Sequence, residues 1–208
     1  MSASFIHRFV PGENNSPVLL LLHGTGGNEN DLLNLGHSLL PEAALLSPRG
    51  KILENGMPRF FRRLSEGVFD EPDLILRTHE LAEFLTWAQA EYSLEGRPVV
   101  AVGYSNGANI AASLFLLRPE ILAGAILLRA MVPLQPETLP ALNGRSIFLA
   151  AGQHDPIIPP DNTERLAVLL KQAGANVELH WTAGGHELHT EEIAVAKRWL
   201  TSRFSANL

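Results

Sequence analysis

The stretch that most constrains this chain is Val99-Val100-Ala101-Val102-Gly103-Tyr104-Ser105-Asn106-Gly107-Ala108-Asn109. A run of β-branched and small apolar residues enters a G-x-S-x-G pentapeptide, and helix-forming residues, Ala108 to Leu117, leave it. The order is strand, sharp turn, helix. A serine at such an elbow takes a strained backbone conformation with its side chain lifted off the sheet, so the residues two before and two after it must be small. Gly103 and Gly107 meet that requirement. The helix that starts just after Ser105 points unpaired amides and a partial positive charge at any oxygen the serine attacks. Ser105 therefore reads as a nucleophile, against the plainer alternative of an ordinary strand-to-helix turn that contains a serine.

The remaining elements are read by what they bring to Ser105. Phe5 to Val10 alternates apolar and polar and predicts an edge strand, closed by Pro11-Gly12. Val18 to Leu22 is continuously apolar, the pattern of a strand covered on both faces. It runs into His23-Gly24-Thr25-Gly26-Gly27-Asn28-Glu29, which matches neither G-x-x-x-x-G-K-S/T nor G-x-G-x-x-G and so is no phosphate loop. What it offers is backbone amides, and the amides of Thr25 and Asn106 are the expected oxyanion-hole pair; the alternative is that its glycines only make a tight turn. Asp31 to Leu39 predicts a helix and Ala43 to Ser47 a short strand. Pro48 to Asp70 lacks periodicity and is the longest irregular segment. Its Phe60 and Phe61 either line a substrate pocket over the nucleophile or seal the core beneath a surface loop. Pro72 to Tyr92 predicts a long amphipathic helix.

Beyond the elbow, Ala123 to Leu128 predicts a strand that delivers Arg129 and Met131 to the same sheet edge as Ser105. Met131 is a candidate pocket residue, and Arg129 either binds a substrate carboxylate or ties loops together through an ion pair. Ser146 to Ala151 predicts a strand followed by Asp155, while Asp161 fits the N-cap of a helix over Asn162 to Ala173. Val177 to Trp181 is the last predicted strand, and it leads through Gly184-Gly185 to His186. His189 is read as a surface residue of a final helix over Thr190 to Phe204. Strands alternating with helices imply an α/β architecture with a mostly parallel sheet, and such sheets bind ligands at the carboxyl ends of their strands. His23, Ser105, Arg129, Asp155 and His186 all fall there.

Composition narrows the function. A chain of 208 residues, 46% of them hydrophobic, suits one sizeable core, so residues 1–208 are expected to form a single domain. Lys and Arg number 16 against 22 Asp and Glu, a net charge of -6 with no basic run denser than Arg62-Arg63, which argues against nucleic acid as a partner. No cysteine is present, so a disulfide framework, a thiolate metal site and a cysteine nucleophile are all excluded. The first residues, MSASFIHRFV, lack a basic segment followed by an apolar one, and the longest apolar runs are strand-length. A cytoplasmic protein without membrane insertion is expected.

A serine hydroxyl needs a base within hydrogen-bond reach, and the base needs a carboxylate to hold its tautomer and stabilise its cation. Ser105, Asp155 and His186 supply those groups in the chain order Ser, Asp, His, which is the α/β-hydrolase order. His186 and His189 make no H-E-x-x-H arrangement, so no metal site is expected. Taken together, "LLLLHGTGGNE", "GYSNGANIA", "GQHDPIIP" and "GGHEL" resemble the phospholipase/carboxylesterase branch of the α/β-hydrolases, which includes small bacterial carboxylesterases and acyl-protein thioesterases. The resemblance covers nearly the whole chain. It implies an α/β-hydrolase fold without a large cap, a Ser105-His186-Asp155 triad and cofactor-free hydrolysis. Asn106 stands where thioesterase relatives commonly carry glutamine, and "PRFFRRLSEGVFDE" is more similar to bacterial hydrolases associated with quinone or aromatic-compound resistance. The expected activity is cleavage of small carboxylic esters, short-chain or aromatic, at a shallow open site, with a homodimer as a further expectation. The alternatives are a thioesterase, a dienelactone or carbon–carbon bond hydrolase with the same triad, or a silent hydrolase fold that only binds.

Overall fold

An apolar run with no polar residue on either side of its pleat belongs between two layers, and Val18–Leu22 is such a run. In the computed structural model, which describes residues 5–205, it forms β2 near the centre of a seven-stranded sheet. Residues 1–4, where the stretch read for a leader begins, lie outside the described residues. Along the chain the elements are β1 (His7–Val10), β2, α1 (Leu33–Leu39), β3 (Ala44–Pro48), β4 (Ile52–Glu54), β5 (Met57–Arg59), β6 (Arg63–Ser65), β7 (Val68–Phe69), α2 (Glu71–Glu91) and β8 (Val99–Tyr104). They continue with α3 (Asn106–Leu117), β9 (Gly124–Leu128), β10 (Ser146–Gly152), α4 (Pro160–Gln172), β11 (Asn176–Thr182) and α5 (Thr190–Phe204).

The strand order β1-β3-β2-β8-β9-β10-β11 makes β1 the antiparallel edge and every other pairing parallel. Because side chains alternate along a strand, each central strand feeds two cores. Leu20 and Leu22 of β2, Ala101 of β8, Leu127 of β9 and Leu149 of β10 pack beneath α2, α3 and α4. Their neighbours Leu19, Leu21, Val102, Ile126 and Phe148 pack on the opposite face, against Leu39 of α1 and Trp199 and Leu200 of α5. This is the α/β-hydrolase architecture, with helices on both faces and, among the described residues, no large cap. Among the described residues no helix is long and apolar enough to cross a membrane.

Two local expectations are corrected. Residues 48–70 are not irregular but carry two small hairpins, β4 with β5 and β6 with β7. The first turns at Asn55-Gly56, both at positive φ (52° and 80°), the backbone that matches strand twist in a two-residue turn. Asp161 does not cap α4: Pro159 is the N-cap and Pro160 starts the helix, since proline's fixed φ suits a first turn.

Candidate active site

β8 delivers Tyr104 to the carboxyl edge of the sheet, and Ser105 follows it with φ 52° and ψ -114°. A non-glycine residue rarely takes that conformation, and it persists only where the surroundings over-determine it. Here the Ser105 amide donates to Leu128 O at 2.8 Å, and α3 begins one residue later. The packing around the turn leaves no room for side chains at the two glycines. A Cβ on Gly103 would lie 2.6 Å from Gly107 O, and one on Gly107 would overlap the Leu22 carbonyl of β2. The elbow is thus wedged against the neighbouring strand as well as its own helix.

Two other strand ends converge on the serine. The loop after β11 places His186 with Nε2 2.9 Å from Ser105 Oγ. The loop after β10 places Asp155 with Oδ2 2.7 Å from His186 Nδ1. The Asp155 side chain is almost fully enclosed, and its Oδ1 accepts from the amides of Ile157 and Ile158 at 2.8 and 3.1 Å. An ionised Asp155 requires a proton on His186 Nδ1, which leaves Nε2 free to accept one from Ser105. The arrangement can therefore strip a proton from Oγ during attack and return it to a leaving group.

The residues expected from the sequence to supply the oxyanion donors border the same cavity as this group. Thr25 and Asn106 both line a cavity of about 300 Å³ that includes Ser105 and His186. The Thr25 amide has no backbone acceptor among the described residues, and the Asn106 amide is one of the unpaired donors of the first turn of α3. The Thr25 loop is braced by His23. Gly50 N donates to His23 Nε2 at 3.0 Å, so the ring proton is on Nδ1, which donates to Gly24 O at 2.7 Å. Burial holds the His23 pKa below its ordinary value, and the ring is neutral.

Of the residues expected to bind substrate, Met131 lines the cavity, and its amide donates to Asn109 Oδ1 at 2.9 Å. Phe60 and Phe61 do not line it. They are 2% and 0% exposed in the core beneath α2 and α3, Phe60 against His23 and Phe61 edge-on to Phe69. Phe69 and Arg59 line the cavity in their place. Packing both phenylalanines inward removes more apolar surface from water than hanging them over a small open site would.

Arg129 is not available to a substrate either, being fully buried with φ 59°. Its Nη1 and Nη2 grip Glu192 Oε2 and Oε1 at 2.7 and 2.8 Å. Its Nε donates to Gly185 O at 2.9 Å and its Nη2 to Glu187 O at 2.5 Å. The intervening carbonyl, that of His186, accepts from Tyr104 Oη at 3.0 Å. Three consecutive carbonyls around His186 are therefore held, two by Arg129 and one by Tyr104. Sequence reasoning missed Glu192 and Tyr104. Glu192 sits in the first turn of α5, where an acid also accepts from the His189 amide (2.7 Å), and that position was the available signal. His189, partly exposed, caps α5 rather than lying inside it.

Similarity to known proteins bears on the fold and the family. A profile of the family described as Phospholipase/Carboxylesterase matches residues 8–203. The chain is 51% identical over 182 residues to the putative hydrolase MhqD of Bacillus subtilis (strain 168), covering 88% of this chain and 91% of that one. Among solved structures it resembles the Bacillus cereus carboxylesterase, with 53% identity, a TM-score of 0.95 and coverage of 97% and 96%. It also resembles YahD, solved with malic acid, at 32% identity and a TM-score of 0.89, covering 94% and 98%.

Proposed function

The chain belongs to the phospholipase/carboxylesterase family, a family of hydrolases, and on that premise we propose that it cleaves small carboxylic esters through an acyl-enzyme on Ser105. The observation that carries this reading is the unbroken hydrogen-bonded line from Ser105 Oγ through His186 to Asp155 at a strained elbow. Ser105 Oγ attacks the ester carbonyl as His186 Nε2 takes its proton, and the carbonyl oxygen becomes an oxyanion facing the Thr25 and Asn106 amides. Collapse of the tetrahedral intermediate breaks the bond to the alcohol oxygen, which leaves with the proton from His186. Water then attacks the acyl-serine, again giving its proton to His186, and the acid departs as Ser105 recovers its hydrogen. Asp155 keeps its negative charge throughout and holds the imidazole orientation. Each oxyanion donor contributes about 3 kcal/mol to the barrier reduction when judged by removal.

A cavity of about 300 Å³ sits at the low end of small-molecule sites and favours short acyl chains. A small acid, malic acid, accompanies the relative YahD in its solved structure. The test is hydrolysis of p-nitrophenyl esters of increasing acyl length beside a thioester and an aromatic lactone. Activity should peak at short chains, and Ser105→Ala should lower kcat about a millionfold. Silence on every ester, with Ser105 still labelled by a phosphonate probe, would transfer the assignment to lactone or carbon–carbon bond cleavage.

A further inference from the structure

The cavity beside Ser105 has a one-sided polar lining. Asn106 and Asn109, one turn apart on α3, both have their oxygens occupied, Asn106 Oδ1 by Phe60 N at 2.7 Å and Asn109 Oδ1 by Met131 N at 2.9 Å. A backbone N–H must meet an oxygen, so both amides are oriented and each keeps its NH2 group. Neither Nδ2 has an acceptor among the described residues, and of the two only that of Asn106 is fully enclosed.

Arg59 extends the same wall. It is 3% exposed, its Nη1 donates to Thr25 Oγ1 at 2.6 Å and its Nε to Phe61 O at 3.2 Å. Its Nη2 has no hydrogen-bond acceptor among the described residues and is not fully enclosed, on a residue that lines the cavity. The carboxylate beside Arg59, Glu54 at 3.2 Å, is also gripped by both Nε and Nη2 of Arg63, so one anion serves two guanidinium groups. The other acids nearby do not make up the difference. Asp155 is committed to His186 and two backbone amides, and Glu66, which lines the cavity together with Arg63, lies exposed at the β6–β7 turn, where water screens it.

Resting on the esterase reading, we propose that the ester carries a carboxylate, on its acyl chain or its leaving group, that seats on Arg59 and the Asn109 amide. The substrate class is then small acidic esters, such as monoesters of dicarboxylic acids. A planar guanidinium matches a carboxylate fork, and the lining supplies donors for which a neutral alkyl chain has no acceptors. Thr25 links this subsite to the reaction, because the residue whose hydroxyl Arg59 holds also offers its amide to the oxyanion.

The experiment compares kcat/KM for p-nitrophenyl hemiglutarate with its neutral methyl ester, and for acetylated p-hydroxybenzoate with phenyl acetate. The first pair places the charge on the acyl side, the second on the leaving group. One acidic ester should be preferred roughly 10- to 100-fold, the worth of one charge-assisted hydrogen bond, and Arg59→Gln should remove that preference. In the wild type, raised salt should erode the acidic ester's advantage, a readout that needs no variant. No preference in either arm, or an Arg59→Gln variant that slows acidic and neutral esters equally, overturns the proposal. Calorimetric titration with glutarate separates the two readings. If no ester turns over, the esterase reading falls, and glutarate binding that Arg59→Gln weakens tenfold or so keeps the anion subsite. Absence of glutarate binding to the wild type removes it.

Discussion

Two arginines are buried near the carboxyl edge of the sheet, and they are used differently. Arg129, after β9, is surrounded by protein acceptors, both oxygens of Glu192 and the carbonyls of Gly185 and Glu187. Arg59, at the end of β5, has the Thr25 hydroxyl, the Phe61 carbonyl and a share of Glu54, it lines the cavity, and its Nη2 has no hydrogen-bond acceptor among the described residues. A guanidinium stays charged at any ordinary pH, so every buried one needs acceptors. Arg129 has a protein acceptor at each of its three nitrogens and is framework, whereas Arg59 lacks one at Nη2 among the described residues, and that is where the proposed ligand sits. Glu192 is held by one side-chain cation, whereas Glu54 is held by two.

That difference predicts unequal mutants. Arg129→Met strands the fully buried Glu192 carboxylate and should lower unfolding stability by about 3–5 kcal/mol in denaturant melts. Adding Glu192→Gln should recover part of the loss, because an unpaired neutral amide is cheaper to bury than a carboxylate. Activity should not return in the double variant, because the carbonyls on either side of His186 remain unheld. Full recovery of activity would break the claim that Arg129 positions His186. Arg59→Met leaves Glu54 still forked by Arg63, so the stability loss should be only about 1–2 kcal/mol. A loss equal to that of Arg129→Met would erase the comparison.

The same contrast explains what the sequence disclosed. Ser105, Asp155 and His186 were legible because each follows an apolar strand at a fixed edge, and strand order carries them together. For Arg129 the sequence offered both a substrate carboxylate and a loop-tying ion pair, and the ion pair is what forms; the choice was not legible because it depends on which acceptors reach the side chain, and Glu192 comes from 63 residues away. Phe60 and Phe61 stayed between pocket and core for a related reason, and the core reading is the one that holds: a loop without periodicity does not reveal which of Arg59, Phe60 and Phe61 points inward. The hairpin there had a signal, Asn55-Gly56, that the search for periodicity passed over.

Tyr104 offers a finer probe of the His186 clamp. Burial raises its phenol pKa, so it donates to the His186 carbonyl throughout the neutral range. Tyr104→Phe removes one of three anchors and should lower stability by about 1 kcal/mol, with a several-fold fall in kcat rather than a rise in KM. A change confined to KM would assign the hydroxyl to substrate instead.

The smallest effect tests the rule that separates the arginines. His23 is a third cation-forming group buried at this edge, and it has no hydrogen bond to a carboxylate among the described residues. Unlike arginine it can shed its charge, and burial lowers its pKa from the ordinary 6.5. Above that value both folded and unfolded chains hold it neutral, and its contribution to stability is fully present. As pH falls below 6.5 the unfolded chain takes up a proton first, so stability declines until the folded form also protonates. The His23 share of that slope cannot exceed about 1.4 kcal/mol per pH unit, the value for one proton. His23→Gln, which keeps an acceptor for Gly50 N and a donor for Gly24 O, should flatten the acid limb of the stability profile without moving its neutral plateau far. An unchanged slope would mean that the folded protein takes up the His23 proton as readily as the unfolded chain, and in acid a buried cation would then stand there with fewer acceptors than either arginine.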